Sequence, residues 1–143
     1  MKGLIDIIDQ TDIEILKLLG ENSRIQWKEL GKAIHLTGQA VGNRIRRLEE
    51  LGIIEQYTIL INRIKLGQIV TAFVTLFVKT ANHLEFQNFF QEEEAISEVH
   101  RISGDGCYLL KTHFASNEEL DTFLERLLKY GNYRVNLSIG KLK

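Results

Sequence analysis

Along the first 51 positions apolar residues recur at helical spacing, and beyond Gly67 they recur at every second position, so the chain reads as a helical part followed by a strand-based part. Ile15, Leu16 and Leu19 supply the inward stripe of a first helix, with Asp9 as its cap, Asp12 in its first turn beside the positive end of the helix dipole, and Gly20 closing it. A second helix is predicted over residues 27–34, burying Leu30, Ala33 and Ile34 behind a polar cap at Gln26. After a short link at residues 35–37, Thr37 caps a third helix whose buried stripe is Val41, Ile45 and Leu48, at i, i+4 and i+7; Gly52 stops it. Residues 53–61 have the β-branched and aromatic content of a strand, which predicts a wing hairpin or a linking strand.

Residues 70–78 alternate strictly. Val70, Ala72, Val74, Leu76 and Val78 fall on one face and Thr71, Phe73, Thr75 and Phe77 on the other, so a strand apolar on both sides is expected, with helices over one face and a partner surface over the other. A helix over 84–94, strands over 98–103 and 107–114, a helix over 117–129 and a strand over 133–142 complete the order βαββαβ, a ferredoxin-like arrangement. The predicted fold class is α+β, a three-helix winged helix-turn-helix over residues 1–52, a wing or linker over 53–67, and a βαββαβ assembly domain over 68–143.

Composition narrows the function classes. With 143 residues, 44% hydrophobic and 26% charged, the chain is in the globular range and disorder is excluded. The longest apolar run, IVTAFVTLFV, falls short of the roughly 20 residues that a membrane-spanning helix needs, and the start carries acids where a signal peptide carries bases. A cytoplasmic protein without a membrane partner is expected. The single cysteine, Cys107, has no intrachain disulfide partner, no Cys/His cluster has metal-ligand spacing, and no cofactor is expected.

The net charge of −1 hides a segregation. Between Arg24 and Arg47 six basic residues face the single acid Glu29, so this window carries +5 and the rest of the chain −6. A basic island in an acidic chain is the electrostatic footprint of a polyanion partner, here double-stranded DNA. Two short helices with a tight link, the second polar and basic on its outer side, make a helix-turn-helix whose second helix enters the major groove. Gln39 and Asn43 have the amides that pair with adenine, and Arg46 has the fork that pairs with guanine. Gly38 and Gly42 are expected to clear space for close approach to DNA. Arg24, Lys28, Arg44 and Arg47, with the helix amide end at Thr37, suit phosphates. Against this stands the plainer reading in which Arg44 or Arg47 pairs with Glu29, Glu49 or Glu50 on a solvated surface. Trp27 is expected to pack onto the core rather than onto DNA.

These residues resemble the Lrp/AsnC family (leucine-responsive regulatory protein / asparagine-synthesis regulator) of bacterial and archaeal transcription factors. The resemblance is carried by IDQTDIEIL (8–16), NSRI (22–25), ELGKAIHLT (29–37), AVGNRIRRLEELGIIEQY (40–57), KLG (65–67) and SGDGCYLL (103–110). It implies a nucleoid-associated regulator that dimerises through its sheet, with dimers assembling into octamers or rings. It also implies an amino acid or related effector held near the turn Gly104, Asp105, Gly106, Cys107 and Tyr108. Cys107 stands where many members have an acid, which leaves Asp105 as the turn's only acid; Thr37 and Ala40 replace the usual Ser and Thr at the recognition helix. The plainer reading of this turn is a β-turn with Gly106 at positive φ.

Two other functions fit the same architecture. Siroheme decarboxylases are similar in fold, and His100, Arg101 and His113 on neighbouring strands are the residues such an enzyme would use, although the intact basic helix favours DNA. An architectural protein that bends or wraps DNA without any effector is the other.

Overall fold

The computed structural model describes residues 7–79 and 82–143; the acidic start that reads against a signal peptide lies largely outside them. The chain divides between Leu60 and Ile61 into two compact units.

The first unit holds α1 (Gln10–Glu21), α2 (Trp27–Ala33) and α3 (Gly38–Glu50). Asp9 and Asp12 form a reciprocal capping box on α1, each carboxylate accepting the other's backbone N–H, at 2.9 and 3.0 Å. Thr37 caps α3 by accepting the Ala40 N–H at 3.1 Å. Between α2 and α3 the chain reverses at His35, whose φ of 58° is left-handed, and the Leu36 N–H returns to the Gly31 carbonyl at 2.8 Å. Gly52, at φ 68°, turns the chain beyond α3 so that the Ile53 N–H reaches the Leu48 carbonyl at 2.9 Å. Ile15, Leu19, Leu30, Val41, Ile45 and Leu48 form the core. Ala33, expected inside, is exposed, and Gly31 is buried in its place. The reason is steric: a Cβ on Gly31 would strike the Leu36 carbonyl oxygen, so only the smallest residue lets the link fold back on α2.

No strand forms over residues 53–61, so the expected wing is absent among the described residues. Residues 55–62 make no backbone hydrogen bond to another described residue, and Tyr57, Ile59 and Leu60 are exposed. β-branched content is not enough without a neighbouring strand to pair with. The Tyr57 hydroxyl instead donates to Glu49 at 2.8 Å, and partial desolvation of the hydroxyl together with that carboxylate pushes the phenol up to about 12.

The second unit is a four-stranded antiparallel sheet in the order β2-β3-β1-β4. Its elements are β1 (Val70–Val78), α4 (His83–Glu92), β2 (Ile96–Arg101), β3 (Tyr108–Phe114), α5 (Asn117–Leu127) and β4 (Gly131–Leu137). This is the βαββαβ order that the alternation predicts. Ala72, Val74, Leu76 and Val78 face a core shared with Phe86 of α4 and with Leu120, Phe123, Leu124 and Leu127 of α5. On the other face, Phe73 and Thr75 pair in register with Lys111 and Leu109 of β3 and with Asn136 and Arg134 of β4; Phe73 is exposed. β4 ends earlier than its composition suggests: its last partner in register is Leu137 opposite Ala72, and the Ser138 N–H makes the last bond, 2.8 Å to Thr71.

Candidate nucleic-acid interface and effector turn

Because α3 turns Val41, Ile45 and Leu48 into the core, Gln39, Asn43 and Arg46 lie on its outer side, all exposed, at i, i+4 and i+7. Among the described residues Arg24, Lys28 and Arg46 form no ion pair, whereas Lys32 pairs with Glu29 at 2.9 Å. Two amides and three unneutralised cations therefore remain available on the basic island. The Thr37 hydroxyl is used as the α3 cap.

Arg44 is placed differently from the phosphate role expected of it. Its Nη1 donates to Asp9 Oδ2 and Asp12 Oδ1, each at 2.8 Å, and only 30% of its side chain is exposed. Asp12, on the same stripe as Ile15 and Leu19, has a carboxylate side chain just 1% exposed. The capping N–H of Asp12 first, and then the Arg44 guanidinium, hold Asp9 below the usual carboxylate range, and Asp12 and Asp9 raise Arg44. Arg47 is half committed: it donates to the Ile7 carbonyl and approaches Asp12 Oδ2 at 3.6 Å, while 45% of its side chain stays exposed. The acids that engage these arginines are thus Asp9, the cap of α1, and Asp12 within it, not Glu29, Glu49 or Glu50. A sequence signal for this clamp exists, since a charged residue on the apolar stripe of a helix needs a buried partner.

The two glycines of α3 also have reasons inside the protein. A Cβ on Gly38 would crowd the Lys28 backbone, 3.1 Å from its nitrogen, and one on buried Gly42 would collide with the Trp27 indole. At both positions the missing side chain lets α2 approach α3, a reason inside the protein that the expectation of close approach to DNA did not include. Trp27 does not reach the hydrophobic core: it packs on Gly42, 44% exposed, with the Arg46 guanidinium 5.8 Å from its ring centroid.

At the turn between β2 and β3, positive φ belongs to Gly104 (91°) and not to Gly106, whose Cβ would strike Thr75 on β1. Gly106 is therefore required by close approach to the sheet. The Cys107 N–H donates to the Leu76 carbonyl at 2.9 Å, and its thiol points to the Val78 carbonyl at 3.7 Å. Asp105 is exposed; Tyr108 is buried, its hydroxyl 3.1 Å from His83 Nδ1. Of the five turn residues, Gly104 and Asp105 face solvent most openly and Tyr108 belongs to the core.

His100 is exposed, 3.6 Å from Glu98, whereas His113 is buried with Nδ1 3.0 Å from the Thr71 hydroxyl and Nε2 3.0 Å from that of Ser97. Burial first, then Arg63 and Lys111, hold His113 below the ordinary histidine range. Both of its ring nitrogens are already engaged by hydroxyls.

A helix-turn-helix with an open amide and guanidinium row, carried in one chain with a ferredoxin-like sheet, defines a two-part DNA-binding regulator. Residues 8–49 match the AsnC-type helix-turn-helix domain and residues 71–143 the Lrp/AsnC ligand binding domain. The chain belongs to the Lrp/AsnC family of helix-turn-helix transcriptional regulators. It is 51% identical over 136 residues to the regulator LrpB of Bacillus subtilis (strain 168), a match spanning 95% of this chain and 91% of that one. LrpA of the same organism is 40% identical, over 94% of this chain and all of its own length (100%). The solved structure of B. subtilis LrpC superposes with a TM-score of 0.91 at 33% identity, covering 95% and 97% of the two chains. The regulator NMB0573 of Neisseria meningitidis, solved as an L-Met complex, shares the fold at a TM-score of 0.90 and 24% identity, covering 95% and 92%. These relatives are named as regulators, and the decarboxylase reading finds no support among them.

Proposed function

We propose that this regulator reads double-stranded DNA by laying α3 in the major groove, with Gln39, Asn43 and Arg46 on base edges and Arg24, Lys28 and the free part of Arg47 on phosphates. Residues 1–52 are then the DNA-binding part, 53–67 the linker and 68–143 the assembly part. The observation that carries the reading is the exposed row at 39, 43 and 46 opposite the buried stripe at 41, 45 and 48. Arg44 is assigned to holding α3 and not to DNA.

Selection of binding sites from a random duplex pool, followed by titration of single-base variants, tests this. Asn43→Ala and Arg46→Ala each lose about 1–3 kcal/mol of discrimination at one base pair, while Lys28→Ala weakens all duplexes alike and flattens the salt dependence. Equal losses on selected and random DNA for all three variants would remove the base-reading roles.

The exposed face of β1, with Phe73 and Thr75, suits a second copy of the chain, giving a homodimer and through it octamers on the cytoplasmic nucleoid. A small amino acid is the proposed effector, its ammonium group held by the exposed Asp105 and its carboxylate by N–H groups of the Gly104 turn. The L-Met complex of the Neisseria regulator is in keeping with this class of ligand. Calorimetry against a panel of free amino acids checks it: Asp105→Asn weakens the responding amino acid by about tenfold, with DNA affinity in its absence unchanged. No heat from the parent with any of them assigns the turn a structural role and favours the architectural function.

A further inference from the structure

Trp27 is an aromatic residue left 44% exposed by a fold that nevertheless makes room for it. Its indole rests on Gly42, the one position of α3 where a Cβ would run into the Cε3 and Cζ3 edge, and the Arg46 guanidinium lies 5.8 Å from its ring centroid. Gly42 and Arg46 are four residues apart, so the ring spans one turn of α3 and ends at Arg46, a member of the exposed row. Burial in the core does not account for this placement, because Trp27 stays 44% exposed while Ile15, Leu19, Leu30, Val41, Ile45 and Leu48 are buried. Neither does charge pairing, since Arg46 has no carboxylate partner among the described residues.

Arginine is long and flexible, and its planar fork reads guanine only when its plane is oriented. A ring beneath the guanidinium attracts it electrostatically and limits the directions it samples, while leaving its N–H edge open. We infer that Trp27 is a specificity-determining positioning residue: it orients Arg46 for its base pair, and Gly42 is the seat that admits the ring. This inference rests on the reading of α3 as the DNA-reading helix, and it adds a residue from α2 to the recognition surface.

The experiment uses the full chain and a duplex selected by it from a random pool, with every base pair of that duplex then varied singly. The base pair at which Arg46→Ala loses discrimination is the reference. Trp27→Ala loses about two- to fivefold in discrimination at that base pair and leaves the Asn43-dependent base pair as in the parent. Adding Trp27→Ala to Arg46→Ala costs nothing more there. Gly42→Ala, which keeps the indole but displaces it, reproduces the Trp27→Ala pattern, and Trp27→Phe retains most of the parent's discrimination. Trp27 is the chain's only tryptophan, so its emission reports the stack directly and shifts in free Arg46→Ala. A uniform loss at all base pairs for Trp27→Ala, or no loss at the reference pair, overturns the positioning role while base reading by α3 stands. A parent chain that selects no sequence at all overturns the DNA-reading assignment, and the positioning role with it.

Discussion

Replacing Arg44 with alanine is expected to lower the stability of the helical unit by about 3 kcal/mol, the order found when one partner of a buried ion pair is removed. The size follows from what is left behind. Asp12, whose carboxylate is 1% exposed in the parent, would lose its nearest cation and keep the Asp9 N–H at 3.0 Å, with Arg47 3.6 Å away. Taking a carboxylate out of water is costly unless a cation and hydrogen bonds compensate for it, and Arg44 supplies the 2.8 Å contact. Arg46→Ala, at an exposed position without an ion pair, is expected to change stability by less than about 0.5 kcal/mol. Urea unfolding of the two variants separates the roles, and hydrogen exchange locates the Arg44 loss in α1 and α3. Parent-like unfolding of Arg44→Ala combined with weaker binding to every duplex would return Arg44 to the phosphates.

In the sheet unit the largest loss is expected from Phe86→Ala, at about 4 kcal/mol, in the range for deleting a fully buried aromatic ring. Phe86 has no exposed surface, and its ring meets Phe90, Tyr108 and Tyr130 with centroids 5.4, 4.9 and 5.7 Å away. It joins α4 to the strand that opens at Tyr108, so faster exchange is expected first at β3 amides near the turn and in α4. Denaturant unfolding gives the magnitude. A loss under about 1 kcal/mol would mean that the neighbouring rings collapse into the vacated space.

Periodicity made the helices and strands legible: the stripe Val41, Ile45 and Leu48 and the alternation of 70–78 each have one good solution. Capping was legible too, because Asp9 and Thr37 act on residues three positions away. What depended on distant neighbours was not. A glycine shows only that a side chain is missing; that Gly38 and Gly42 face α2, or that Gly106 faces Thr75, is a property of the packed chain. Arg44 reaches back 32 residues to Asp12, and its surroundings in sequence offered only nearby glutamates as partners. Residues 53–61 read as a strand because propensity describes a residue, while a strand needs a partner.

The Asp12–Arg44 clamp lies on the inner side of α3, and the side chains assigned to base edges lie on its outer side. Substitutions at 39, 43 and 46 therefore leave the anchoring of the helix untouched. With the base-edge roles proposed for these three positions, a lineage descended from this protein could shift to new operator sequences through them while the helix stays anchored, whereas changes at 12 or 44 are expected to cost stability whatever DNA is being read. Target choice and fold are in this sense separately heritable, which lets duplicated copies of one such chain diverge onto different genes.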